Sequence, residues 1–331
     1  MGANASGAVQ IKLWGVQVRK VLTAALVLLG VFCLALAGLL RFYAPSHAEK
    51  TPLNLNIIQV ATGPATIFNA TTGQQDQTNL IATRRVRTDS AASDSKVTVV
   101  QETLCIVKDV GNPPECVDAA DPQGRLVSFT TDRVAADRKS GQSVNDAKYH
   151  ENIDGDTSAK HVGLTYKFPF HSKKQSYKFF DPISRQSPDA KFIGTDKVEG
   201  LNLYKYEAVI DNIDLPVGPG IPGKYSDTRT VSVDPLTGVI VKGIEHQTRQ
   251  LANGTPALDT TLTFNEAAIK YQAKQAKDGH SKITQLTVTL PLILLLVGLA
   301  SIGGAVLLAR RGSGPGAQAS PAELDQPVER V

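Results

Sequence analysis

Residues 228–243 read TRTVSVDPLTGVIVKG. On an extended chain Val231 and Val233 fall on one face, Thr230 and Ser232 on the other. Asp234 and Pro235 suit the first two positions of a type I turn, and Gly238 supplies the left-handed residue on which the chain returns. The stretch predicts a half-buried β-hairpin. Outward from it, KVTVVQETLCIV (96–107), RLVSFTTDRVAA (125–136), LYKYEAVI (203–210) and ALDTTLTF (257–264) are rich in β-branched and aromatic residues. Each is bounded by Gly, Pro, Asp or Asn, so each predicts a further strand, and all read as short. NEAAIKYQAKQAKDGHSKI (265–283) breaks the pattern. Its helix formers place Ala and Ile on one side and lysines on the other, predicting a helix that leads out of the last strand.

Two apolar runs frame this region. Val21 to Leu40 is uncharged over 20 residues, long enough as a helix to cross a hydrocarbon core. Ile283 to Ala309 is uncharged over 27 residues, with Pro291 predicted to kink it. Cleavage of the first run as a signal peptide, after Ser46-His47-Ala48, is the competing reading. The run exceeds an ordinary signal core, and Arg41-Phe42-Tyr43 resembles an interfacial anchor, so a retained helix is expected. Lys12, Arg19 and Lys20 before it predict a cytoplasmic N-terminus, and Arg310 and Arg311 stop the second crossing. The expected organisation is a cytoplasmic tail (1–20), a transmembrane helix (21–43), an extracytoplasmic β-rich domain (44–282), a second transmembrane helix (283–309) and a disordered cytoplasmic tail (310–331). The protein is thus expected in the plasma membrane, crossing twice, both termini cytoplasmic.

The net charge of +4 is spread along the chain, which gives no support to nucleic acid as a partner. Of the three cysteines, Cys33 lies in the first apolar run. Cys105 and Cys116 flank a Gly-Asn-Pro-Pro turn and predict a disulfide suited to an oxidising exterior. Two thiols without nearby Cys or His make no zinc site, and no metal or cofactor is expected. ATIFNATT (65–72), TRRVRTD (83–89) and SFTTDRVAADRKSG (128–141) recur loosely as YKFFDPIS (177–184), KFIGTD (191–196) and TVSVDPLTGVIVKG (230–243), which allows two similar lobes.

No catalytic constellation emerges. G-x-S-x-G and H-E-x-x-H do not occur. GPGIPG (218–223) fits G-x-G-x-x-G, but its prolines remove the amides a pyrophosphate would need. HENIDGDTSAKH (150–161) lacks the twelve-residue calcium pattern and reads as a polar surface loop. A second hairpin is the best candidate site: Tyr166, Phe168 and Phe170 alternate onto one face, Lys173 and Lys174 occupy the turn, and Tyr177 begins the return. Two readings stand, an apolar groove for acyl chains or sugar rings with lysines at an anionic head group, or ordinary core with a solvated lysine edge. In the second apolar run Ala300 and Gly304 form a small-xxx-small pair, a candidate helix–helix contact with the first run or with a membrane enzyme.

GLTYKFPFHSKKQSYKFFDPISR, KFIGTDKVEGLNLYKYEA and TRTVSVDPLTGVIVKGIEHQ together resemble a family of actinobacterial membrane proteins of unknown function, sometimes labelled porin A-like. The resemblance spans nearly the whole chain. It implies a double-anchored envelope protein without established enzymatic activity, and links some relatives to maturation of mannose-based lipoglycans. The expected function is therefore a non-enzymatic envelope biogenesis factor that binds a membrane lipid or lipoglycan intermediate, or supports a membrane glycosyltransferase. An envelope hydrolase or transferase and a channel-forming oligomer are the alternatives.

Overall fold

The computed structural model describes residues 5–218 and 220–311, so the tail from 312, expected to be disordered, lies outside them. The chain forms two compact units, one from its two ends (Met1–Pro45 and Thr284–Val331) and one from Ser46–Ile283.

The second unit is built on eleven antiparallel strands. They are β1 (Asn56–Asn69), β2 (Gln74–Asp89), β3 (Val97–Lys108), β4 (Leu126–Asp137), β5 (Asn152–Ile153), β6 (Tyr177–Lys178), β7 (Asp189–Val198), β8 (Leu201–Asp214), β9 (Gly223–Val233), β10 (Ile240–Leu251) and β11 (Pro256–Phe264). The order β5-β4-β3-β2-β1-β11-β10-β9-β8-β7-β6 places the first long strand beside the last. Isolated bridges Ala136–Ser143, Gln142–Leu164 and Leu164–Phe179 carry hydrogen bonding from β4 round to the β6 side. These single bridges connect the two ends of the sheet, while β6 and β5 each cover only two residues of β7 and β4.

This corrects two expectations. One continuous sheet replaces the two lobes, because β1 pairs with β11 as well as with β2. The strands are also long, up to 16 residues in β2, where short ones were expected. Their inward positions alternate with outward ones as the pleat requires. Ala65, Leu80, Ala82 and Leu262 pack inside, whereas Gln75, Gln77, Gln101, Asp211, His246 and Asp259 are exposed on the opposite faces.

The hairpin at 228–243 is present, formed by β9 and β10. Gly238 takes φ 74°, as its turn demands. A helix follows β11 as predicted. After α1 (Ala5–Tyr43) and the four-residue α2 (Pro45–Ala48), it is α3 (Glu266–Thr284). Asn265 caps it, its Oδ1 accepting from the Ala268 amide at 2.8 Å. Ala273 and Ala276 then pack on Leu201, Leu203 and Val241. The predicted disulfide Cys105–Cys116 is formed, with Cα atoms 5.7 Å apart.

In the other unit α1 packs against α4 (Leu290–Arg310). Residues 17–43 of α1, and the helical stretch ending in α4, are long and apolar enough to cross a membrane. Leu28, Phe32 and Leu307 are each more than 60% exposed, an apolar surface suited to lipid. Just before Pro291 the helix widens into a π-turn, Gln285–Thr289, which accommodates the amide that proline lacks. The helices meet at Gly30 and Gly298: a Cβ on Gly298 would lie 3.1 Å from the Gly30 carbonyl oxygen and 2.9 Å from Leu34 Cγ. Ser301 and Ala305 continue the buried stripe. Small residues do mediate the contact with α1, but Ala300 and Gly304, the pair expected to meet the first helix or a membrane enzyme, are not at its centre. Ala300 is exposed, and Gly304 lies at the flank, its nearest neighbour Leu26.

Candidate functional site

The turn of the 228–243 hairpin is also a clamp. The Phe168 amide donates to the Gly238 carbonyl at 2.9 Å, and the amides of His171 and Ser172 donate to Leu236 and Pro235 at 3.1 and 2.7 Å. A Cβ on Gly238 would stand 1.9 Å from the Phe168 oxygen, so only glycine permits this approach. On its other side the buried carboxylate of Asp234 takes the Thr237 amide at 2.8 Å and meets His280 Nε2 of α3 at 2.8 Å. One turn therefore fixes both the 166–172 segment and α3.

Between them lies a cavity of about 190 Å³. Its walls are mainly apolar, from Leu55, Ile57, Val86, Phe170, Val239, Ile240 and Ile283. Into it projects Lys167, only 8% exposed, its ammonium 3.6 Å from the Phe170 ring centroid. Among the described residues Lys167 has no ion pair. Asp137 acts on it only from a distance, and that carboxylate already accepts from the amides of Lys139 and Ser140. Burial lowers the Lys167 pKa to about 7, against the opposing pull of Asp137. Gln59 and Gln272, 5% and 3% exposed, line the same cavity with buried amide oxygens that meet no donor among the described residues. Lys50 and Lys282 also line the cavity, but Lys167 is the lysine buried within it.

A second cavity of about 120 Å³ has Arg84, Glu102, Asp132, Asp181, Arg229 and Glu245 among its otherwise largely apolar lining. Here the groups answer one another. Arg84 grips Glu102 through two 2.6 Å hydrogen bonds. Half-buried Arg229 meets Glu245, Asp181 and Asp227 at 3.0, 3.2 and 3.4 Å. Burial pushes the Asp227 pKa up, against the pull of Arg229. His161 is fully buried, with Nε2 2.7 Å from Asp132 and Nδ1 3.5 Å from Glu151. Burial alone would lower its pKa, but the hydrogen bond to Asp132 and then Glu151 prevail and raise it to about 9. The 150–161 stretch expected as a polar surface loop thus inserts a histidine and a glutamate into the sheet.

The structure divides the predicted aromatic site. Residues 166–170 are not a strand, so the alternation is lost: Tyr166 and Phe170 line the larger cavity. Phe168 and Tyr177 belong instead to a core cluster with Phe179 and Tyr206, Phe168 stacking on Tyr206 at 4.7 Å. Lys173 and Lys174 are exposed and line no cavity here, Lys174 lying over Phe192 at 5.6 Å. The buried lysine of the cavity is Lys167, the residue that strict alternation assigned to the solvent face. Its flanking by Tyr166 and Phe168 was the local sign of burial on both faces.

A family model described as Porin PorA matches residues 22–307. A Porin PorA of Corynebacterium amycolatum is 23% identical over 295 residues, covering 69% of this chain and 74% of that protein. A Porin PorA of Corynebacterium resistens is 26% identical over 108 residues, 30% of this chain and 26% of its own length. The family is named as porins, where the resemblance in the sequence pointed to envelope proteins of unknown function. With the match running through both apolar helices and the whole sheet, the chain belongs to the Porin PorA family.

Proposed function

We propose that this protein is a two-pass envelope membrane protein, termini cytoplasmic and sheet domain extracytoplasmic, that holds part of a membrane amphiphile in the cavity around Lys167. The observation that carries this reading is a buried lysine, without an ion pair among the described residues, in a mainly apolar cavity. Chain connectivity supports it too: the lining begins at Ala48 and ends at Ile283, a few residues from either apolar helix. Tethering of that kind keeps a membrane-resident ligand at high effective concentration. The role is non-enzymatic, within envelope biogenesis, with a lipid or glycolipid as ligand and a membrane glycosyltransferase of lipoglycan maturation as the partner served. Purification of the full chain in mild detergent, followed by mass spectrometry of co-purifying lipids, tests it. A stoichiometric lipid, depleted when Ile57→Trp fills the cavity, is expected. Equal lipid content in both forms would contradict the proposal.

The relatives' names favour a second reading, a channel, more directly than they favour this one. The long strands are no obstacle to it, but their outward Gln, Asp and His side chains are unlike the apolar outer band of a membrane barrel. A conducting path would then run between helices of several copies. Discrete single-channel steps from the purified protein in planar bilayers would support that reading over the first.

A further inference from the structure

We infer that the cavity around Lys167 selects an amphiphile with a monoanionic carboxylate head group, held as an ion pair with the Lys167 ammonium. The inference rests on the ligand-holding reading above and narrows it. An isolated charge inside an apolar wall is costly, and the cavity offers Lys167 no ion-pair partner of its own among the described residues. A ligand that brings one negative charge completes the pair. An uncharged head would leave the ammonium unanswered.

Size narrows the class further. A cavity of about 190 Å³ is little larger than the roughly 150 Å³ engineered cavity that accepts benzene. It admits a carboxylate and a few carbons, with the rest of the chain outside. The walls suit those carbons: Leu55, Ile57, Val86 and Ile283 are apolar. The other charged groups of the lining are Lys50 on the lead-in segment and Asp278 and Lys282 on α3. Two of these three are cationic, which keeps the lining's balance positive. Lys173 and Lys174, exposed elsewhere, have no part in it.

The experiment compares dodecanoate with dodecanol, two probes that differ only in the head group, on the full chain in detergent micelles. Affinities are read by displacement of a fluorescent fatty alcohol. Dodecanoate is expected to bind about tenfold or more tightly than dodecanol. In Lys167→Met that preference should vanish while dodecanol binding persists, and in Lys174→Met it should remain. Equal binding of both probes to the wild-type protein overturns the carboxylate assignment but leaves the cavity reading standing. Binding of neither, with the fluorescent alcohol also failing to bind, overturns the cavity reading itself. The wild-type comparison decides the matter even if Lys167→Met does not fold.

Discussion

Two side chains show how burial and partners set charge in this domain. Lys167 and His161 are both removed from water, yet their pKa values move in opposite directions. Burial dominates at Lys167, whereas at His161 the hydrogen bond to Asp132, with Glu151 behind it, outweighs burial. A histidine whose folded pKa, about 9, lies above its ordinary 6.5 binds its proton more tightly in the folded state. The stability it adds is complete below pH 6.5 and is lost as pH rises through 9. A shift of that size corresponds to a contribution on the order of 3 kcal/mol. In urea titrations the gap between wild type and His161→Gln should therefore be widest near pH 6 and close by about pH 9.5. A gap that stays constant with pH would show that the imidazolium contributes nothing. Neither residue declares this role in the sequence. His161 stood in what read as a polar loop, and Lys167 on the face that alternation assigned to solvent, because both acquire their surroundings from elements remote along the chain.

At the next scale the turn Asp234–Gly238 is the joint of the domain. It closes the β9–β10 hairpin, receives the 168–172 backbone and holds α3 through His280. Gly238→Ala combines left-handed strain with a Cβ driven into the Phe168 carbonyl, and should destabilise by about 3 kcal/mol. Gly254, with φ 84° but open space around its Cβ position, provides the comparison. Gly254→Ala should cost only about 1 kcal/mol. Chemical denaturation of the two variants separates contact from strain, and equal costs would refute the joint. This element was legible beforehand, since the Val/Thr alternation, Asp-Pro and the well-placed glycine all act locally. So were β3, β4, β8, β11 and α3. Strands β1, β2 and β7 were not. Gly63 and Pro64 interrupt β1, and β2 carries Arg84 inward, a placement made sense of only by Glu102 on the neighbouring strand. The 164–176 segment read as a hairpin but is irregular, held by the turn rather than by a partner strand.

Along the whole chain, two apolar helical stretches flank one eleven-stranded sheet, and the family match extends through all three. The helices were evident from uninterrupted apolar length, but their contact face was not. Gly298, Ser301 and Ala305 form it rather than Ala300 and Gly304, because the crossing is set by close approach of Gly30. A disulfide in the sheet domain fits an oxidising exterior, and every functional proposal here requires that placement. The most direct measurement is impermeant-maleimide labelling of right-side-out membrane vesicles, with Cys33→Ala as background. One variant carries Asn253→Cys, exposed between β10 and β11, and the other Ser320→Cys in the C-terminal tail. Labelling of position 253 in sealed vesicles, and of 320 only after permeabilisation, is the predicted result. Protection of 253 until the vesicles are opened would place the sheet on the cytoplasmic side and contradict the account.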